Sequence, residues 1–293
     1  MMNIQASVGY MFLSALCFAS MSGCVKAAHL RGIPVLEILA ARALVSLTLS
    51  YLDIRRKGIS PWGHNKPLLF ARGVVGTIAL VCVFYAVTIL PLAEATLIQY
   101  LYPLFTSLMA YFLIKEKIHI STMVCIGLSL VGLLIMIQPN FLFGAILQES
   151  EPLSKLGVSF ALLGALGSGL AYVFIRQLST TENPSVIIFY FPFVALPVAC
   201  LLLRDNFILP QDLETWILLL LVGVFTQIAQ FCLTMAIKLE KAAKATAFSY
   251  VQVIFSTLIG WIFFTEIPSS KTFLGALFII GGALVNLRSA QQK

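Results

Sequence analysis

Glu37, Arg42, Arg72 and Glu94 stand inside otherwise apolar stretches of this chain. Charge within hydrocarbon is costly, so such residues are candidates for function. A guanidinium presents a planar fork of donors that matches a carboxylate or phosphate. A carboxylate attracts a cation or takes a proton. Glu37 and Arg42 are five residues apart, so on a helix they point about 140° away from each other and do not pair directly. Arg42 reads equally as a lock between helices and as a solute contact. Glu37 reads as an interfacial group or as a carboxylate for a cationic solute or a proton. Arg72 either snorkels to lipid headgroups or holds an anion. Glu94 opens a helix, where a carboxylate complements the dipole. Lys244 opens a later helix with the wrong charge for that end, and the two form a candidate pair of gates.

Uncharged polar residues fall in stripes at three- and four-residue steps: Thr96, Gln99, Tyr102, Pro103 and Thr106; Thr246, Ser249, Gln252 and Ser256; Gln227, Gln230 and Thr234. That spacing puts each set on one helix face. Such a face belongs against another helix, where each hydrogen bond contributes about 0.6 kcal/mol, or against a watery cavity. Pro103 removes one backbone bond and marks a hinge. Tyr85, Tyr100, Tyr172, Tyr190, Tyr250 and Trp261 offer ring faces to a planar or cationic solute. The candidate solute-binding set is Glu37, Arg42, Arg72, Tyr85, Glu94, Gln99, Tyr102, Tyr172, Gln227, Gln230, Ser249, Gln252 and Trp261.

Other chemistries find little support. His29, His64 and His119 lack metal-ligand spacing, and the six cysteines are scattered through apolar stretches without a CxxC, so no metal site is expected. No phosphate-binding glycine loop, nucleophile elbow or HExxH helix is present, and neither an enzyme nor a cofactor is expected. The net charge of +7 comes from short loops; nucleic-acid binding calls for a clustered patch.

The elements that must hold these residues are membrane helices. The chain is 60% hydrophobic and 11% charged, with a mean hydropathy of +0.98, against about 25% charge in soluble domains. A crossing takes roughly 20 apolar residues. Ten segments qualify: about 6–27, 34–52, 67–90, 92–114, 118–138, 156–178, 184–203, 215–237, 242–264 and 271–287. The first lacks the basic flank of a signal peptide. It also has a mate later in the chain, because the sequence repeats at an offset of 150 residues: AEATLIQYLYPLFTSL from Ala93 aligns with AKATAFSYVQVIFSTL from Ala243. Pro34 then meets Pro184, Gly73 Gly223, Cys82 Cys232, Glu116 Glu266, Thr122 Thr272 and Gly132 Gly282. Glu116 and Glu266 each follow a helix and read as caps of the next. Five helices per repeat is an odd number, so the second repeat enters from the other side. The expected fold is an all-α membrane protein of ten transmembrane helices in two inverted five-helix repeats, an architecture suited to alternating access. With the N-terminus inside, inner loops hold twelve Lys and Arg and outer loops five, which puts both termini in the cytoplasm.

Arg42, together with FYAVTILPLAEATLIQYLYPLFTSLMAYFLIKEK, resembles the drug/metabolite transporter superfamily in its ten-helix EamA group. Tyr85-Ala86, Ala93, Ala95, Thr96, Pro103, Glu116 and the glycine-rich fifth and tenth helices carry the resemblance. Arg72-Gly73 and Leu92-Ala93-Glu94-Ala95 are similar to a branch with S-adenosylmethionine and organic-anion carriers. The resemblance implies two EamA-like repeats, 1–143 and 156–293, joined by a loop at 144–155. It also implies a secondary transporter of the cell (inner or plasma) membrane. The solute expected first is an amino acid or S-adenosylmethionine-like metabolite. An organic anion (a carboxylate or nucleotide derivative) comes second, as does a passive facilitator on the same fold. The partners expected are that solute, the bilayer, and a coupling proton or an exchanged solute; nothing fixes the oligomeric state, and a monomer is compatible.

Overall fold

The computed structural model describes residues 2–90, 92–137, 154–203, 208–265 and 270–291. Most of the expected joining loop, 144–153, and Glu266 lie outside them.

The first repeat comprises α1 (Met2–Leu30), α2 (Val35–Arg56), α3 (Lys66–Ile89), α4 (Leu92–Gln99), α5 (Tyr102–Ile114) and α6 (Ile120–Ile137). The second comprises α7 (Lys155–Leu178), α8 (Pro184–Leu203), α9 (Leu213–Leu239), α10 (Ala242–Thr246), a 3-10 turn (Ala247–Tyr250), α11 (Val251–Phe264) and α12 (Ser270–Gln291). Among the described residues, seven segments are long and apolar enough to cross a membrane, counting Ala242–Phe264 as one, and α5, α6 and α12 are shorter apolar helices. With α4 and α5 forming one crossing, there are ten.

Local chemistry starts several of these helices. Pro34 stands at the N-cap of α2 with φ −61°. Asn65 accepts from Leu68 N to cap α3, Ser154 from Gly157 N to cap α7, and Asp212 from Thr215 N to cap α9. Each bond satisfies one donor that a helix start leaves open. The fourth and ninth crossings end alike. Lys115 and Thr265, 150 positions apart, are the two non-glycine residues with positive φ among the described residues, at 52° and 56°.

The packing obeys the same symmetry. α1 lies against α9 as α3 lies against α7, and α11 against α1 as α5 against α7; α2 meets α8, and α6 meets α12. Each contact maps onto another, or onto itself, when the repeats are exchanged. The α6–α12 seam shows it at the atomic level. A Cβ on Gly132 would lie 2.5 Å from Gly275 O, and one on Gly282 would lie 2.9 Å from Cys125 O. Residues 132 and 275 become 282 and 125 under the 150-residue shift, so two glycines license one close approach twice. Phe112, Leu113, Ile262 and Phe263, again related by the shift, are exposed, as residues facing lipid are.

The fourth crossing departs from the single helix the sequence suggests. It breaks at Tyr100–Leu101. Pro103 has no N–H for Gln99 O, and Leu104 N turns to Leu101 O instead of Tyr100 O. The ninth crossing loosens at the equivalent place, Ala247–Tyr250, although Val253 stands where Pro103 would be. The break therefore belongs to the repeat, and Pro103 is not its only cause.

Candidate functional site

The broken crossings meet at the centre of the molecule beside a cavity of about 360 Å³. α1 contributes Met11, Ser14, Phe18 and Ser22; α2 contributes Arg42; α3 contributes Arg72 and Gly76. Gln99, Tyr100 and Tyr102 come from the break in the fourth crossing, and Ser249 and Gln252 from its mate. Ser168 and Tyr172 of α7, Phe191 of α8 and Gln230 and Leu233 of α9 complete the polar and aromatic wall. No Asp or Glu is among these lining residues.

Two arginines therefore dominate the electrostatics. Arg72 is 3% exposed, and its Nε and Nη1 have no hydrogen-bond partner. Its guanidinium lies 4.9 Å from the centre of the Phe191 ring; that of Arg42 lies 5.9 Å from the same ring. Both are within cation–π range. Neither forms an ion pair among the described residues. A Cβ on Gly76 would stand 2.9 Å from Arg72 Nη1 and 3.1 Å from Phe191 Cδ2, so the glycine makes the space the guanidinium fills. Tyr172 lines the same cavity as both arginines.

The rest of the wall is neutral. Gln99 Nε2 donates to Ser168 Oγ at 3.4 Å, while Gln99 Oε1 and Gln230 Oε1 are buried without partners. Tyr102 packs edge-on against Tyr172 at 5.3 Å and lies 6.2 Å from Tyr100. Buried polar groups are nearly always satisfied in folded proteins. Unpaired donors on Arg72 and unpaired acceptors on two amides therefore stand out, and all three residues line one cavity.

Of the residues the sequence singles out, Arg42, Arg72, Gln99, Tyr102, Tyr172, Gln230, Ser249 and Gln252 line this cavity. Others do not. Glu37 is buried in the first turn of α2, away from the cavity, where its Oε2 accepts from Ile208 N at 2.9 Å. Gln227 faces α2, with Ser46 donating to its Oε1 at 2.7 Å and its own Nε2 donating to Ser50 at 2.9 Å. It locks two helices, the alternative its stripe always carried. Tyr85 is 47% exposed and stacks on Phe160 at 5.5 Å; Trp261 is 49% exposed. Both face outward because helix rotation is set by neighbours, which a single helix pattern does not show. Tyr190 donates to Trp62 O and stands off the cavity. Glu94 lies in α4, and its side chain is outside the described residues. Lys244 pairs with Glu240 at 3.1 Å. Pro103 is buried just past the break. Phe191, the ring shared by both arginines, carries no polar atom and falls in an unbroken apolar run, so nothing in the sequence flags it.

Below the cavity, on the face where α1 begins, a clasp joins four crossings. Arg176 Nε donates to Glu116 Oε1 at 2.7 Å, and its Nη1 donates to the carbonyls of Ile237 and Lys238 at 2.9 and 3.0 Å. Glu116 Oε2 accepts from Ala242 N at 3.1 Å. Glu116 thus caps a following helix, but α10 of the other repeat rather than its own neighbour α6.

Comparison with known proteins agrees with this architecture. The model of the EamA-like transporter family matches residues 5–138 and again 155–288. The pseudopaline exporter CntI of Pseudomonas aeruginosa is 31% identical over 277 residues, 94% of each chain. Solute carrier family 35 member G1 of Mus musculus is 28% identical over 92% of this chain and 75% of its own. A riboflavin transporter of Brucella anthropi is 27% identical over 70% of each chain. A solved crystal structure superposes with a TM-score of 0.82 at 20% identity over 98% of both chains. With ten crossings in two inverted repeats around a central polar cavity, and with the family model matching each repeat in turn, this chain is a membrane transporter and belongs to the EamA-like transporter family.

Proposed function

We propose that the chain is a secondary carrier that moves a small organic anion through the central cavity by alternating access. One observation carries the choice of solute: among the described residues that line the cavity, Arg42 and Arg72 are accompanied by no carboxylate. A cationic metabolite of the S-adenosylmethionine type would meet two like charges there. A carboxylate would supply an acceptor for the donors that Arg72 leaves open. The organic-anion reading therefore moves ahead of the S-adenosylmethionine reading. An amino acid stands second, with its carboxylate on an arginine and its ammonium on the tyrosine faces. The two most informative relatives are named for pseudopaline export and riboflavin transport, which supports an organic metabolite.

Inverted repeats supply the mechanism. In one state the Arg176–Glu116 clasp closes the face where α1 begins; to open the cavity to that face, the clasp must part. With no carboxylate among the described lining residues to carry a proton, exchange of one anion for another fits the site better than proton coupling. The excess of Lys and Arg on one side, twelve against five, supports placing both termini in the cytoplasm of a cell-membrane protein. A thermal-shift screen of the purified protein against anionic, zwitterionic and cationic metabolites tests the reading. Anions should stabilise it and Arg72→Gln should abolish the effect; stabilisation by cations alone would refute the assignment.

A further inference from the structure

We infer that the solute carries two separated anionic groups, one held by Arg42 and one by Arg72, with its middle resting on Phe191. This rests on the anion reading above and goes further, because that reading is equally served by a single carboxylate.

The two arginines reach the cavity from opposite membrane faces. α2 starts at Val35 on the face away from the α1 start, and Arg42 is seven residues in; α3 starts at Lys66 on the other face, and Arg72 is six residues in. At 1.5 Å per residue each is buried about 10 Å from its own end. Phe191 lies seven residues into α8, which begins on the same face as α3. The side chains converge on that ring, at 5.9 and 4.9 Å, so the guanidinium carbons are at most about 11 Å apart, each within the cation–π range.

Charge then argues for two groups. Like charges held this near each other in a low-dielectric setting are unfavourable. A monoanion relieves one arginine and leaves the other without a counter-charge among the described residues. A dianion with its groups set apart relieves both, and the apolar ring that both guanidinia approach suits an aliphatic or aromatic spacer. The hydrogen-bonding surplus fits the same solute: Gln99 Oε1 and Gln230 Oε1 await donors, such as a hydroxyl or amine on the spacer. The pair also breaks the repeat. The mates of Arg42 and Arg72 are Pro192 and Val222, so the scaffold does not call for arginine at these places.

The test is binding of a homologous series to the purified protein in detergent at neutral pH, by calorimetry. The ligands are malonate, succinate, glutarate and adipate, with acetate, butyrate and inorganic phosphate beside them. The proposal predicts an optimum at one chain length, with the best dicarboxylate at least about tenfold tighter than either monocarboxylate. It also predicts that Arg42→Gln and Arg72→Gln each reduce that dicarboxylate to the monocarboxylate level and erase the length preference. Arg42→Lys and Arg72→Lys, which keep the charge, should retain part of the preference and guard against a misfolded variant. Equal affinity for mono- and dicarboxylates would overturn the two-group proposal and leave the anion reading standing. Preference for phosphate over every dicarboxylate would overturn it too, in favour of one compact anion. Binding of none of these anions would overturn both.

Discussion

The hydroxyl of Tyr250 donates to the carbonyl oxygen of Tyr100 at 2.8 Å, and their rings stack at 5.8 Å. The two residues are 150 positions apart, so each is the other's mate in the repeat. Two equivalent residues in contact place the pseudo-twofold axis between them, at the breaks of the fourth and ninth crossings. The bond has a local cause. Tyr100 O lost its helical partner when Leu104 N turned to Leu101 O, and the tyrosine of the other repeat replaces it. Removing the hydroxyl with Tyr250→Phe should leave that buried carbonyl unpaired, at a cost of about 1–3 kcal/mol. The check is a lower thermal midpoint than wild type, with Tyr190→Phe, whose hydroxyl bonds a loop carbonyl away from the axis, falling less.

Gly76 should be a sensitive position in the cavity. A methyl there would push against Arg72 Nη1 and the Phe191 ring, 2.9 and 3.1 Å away. Gly76→Ala is expected to weaken anion binding on the order of tenfold, while Gly281→Ala, where nothing lies within 4 Å, leaves it unchanged. Equal binding by both variants would show that the guanidinium position does not matter.

The clasp should control access to one face. Glu116→Gln keeps the side chain's shape but removes the charge opposite Arg176. Both groups are mostly buried, at 12% and 25% side-chain exposure, so a loss of about 1.5–3 kcal/mol is expected. A cysteine placed at Leu233, low in the cavity, should then react faster with a membrane-impermeant thiol reagent added on the α1-start face. An unchanged rate would mean the clasp does not gate.

The cap of α9 predicts a pH dependence. Bonds from the Thr215 hydroxyl and backbone N–H hold the Asp212 carboxyl below the usual 3.8. A folded-state value below the unfolded one means the carboxylate stabilises the fold above the unfolded value and stops doing so as pH falls through the folded value. The stability difference between wild type and Asp212→Ala should therefore be flat above pH about 5 and shrink only below about 4. A difference that grows on acidification would contradict the assignment.

Much of this architecture was legible in the sequence, and the reasons are physical. Crossings announce themselves by length and apolarity, and the repeat shows in Pro, Gly, Cys and Glu positions that chance rarely aligns. Lone polar residues such as Arg72 and Gln230 were visible because lipid penalises them. What was not legible is rotation and partnership. Gln227 and Gln230 share a stripe, yet Ser46 and Ser50 turn the first into a helix lock while the second faces the cavity. Tyr85 and Trp261 look like site residues by type and point outward. Phe191 looks like filler and holds both arginines. The loosened turn before Tyr250 has no proline to announce it.

The most direct test is uptake of a labelled organic anion, chosen as the tightest ligand found by binding, into proteoliposomes holding the purified protein. The account predicts saturable uptake, faster when the same unlabelled anion is preloaded, and lost when Arg42 and Arg72 are both changed to Gln in a variant that keeps its thermal midpoint. Uptake that persists undiminished without the two arginines would contradict it.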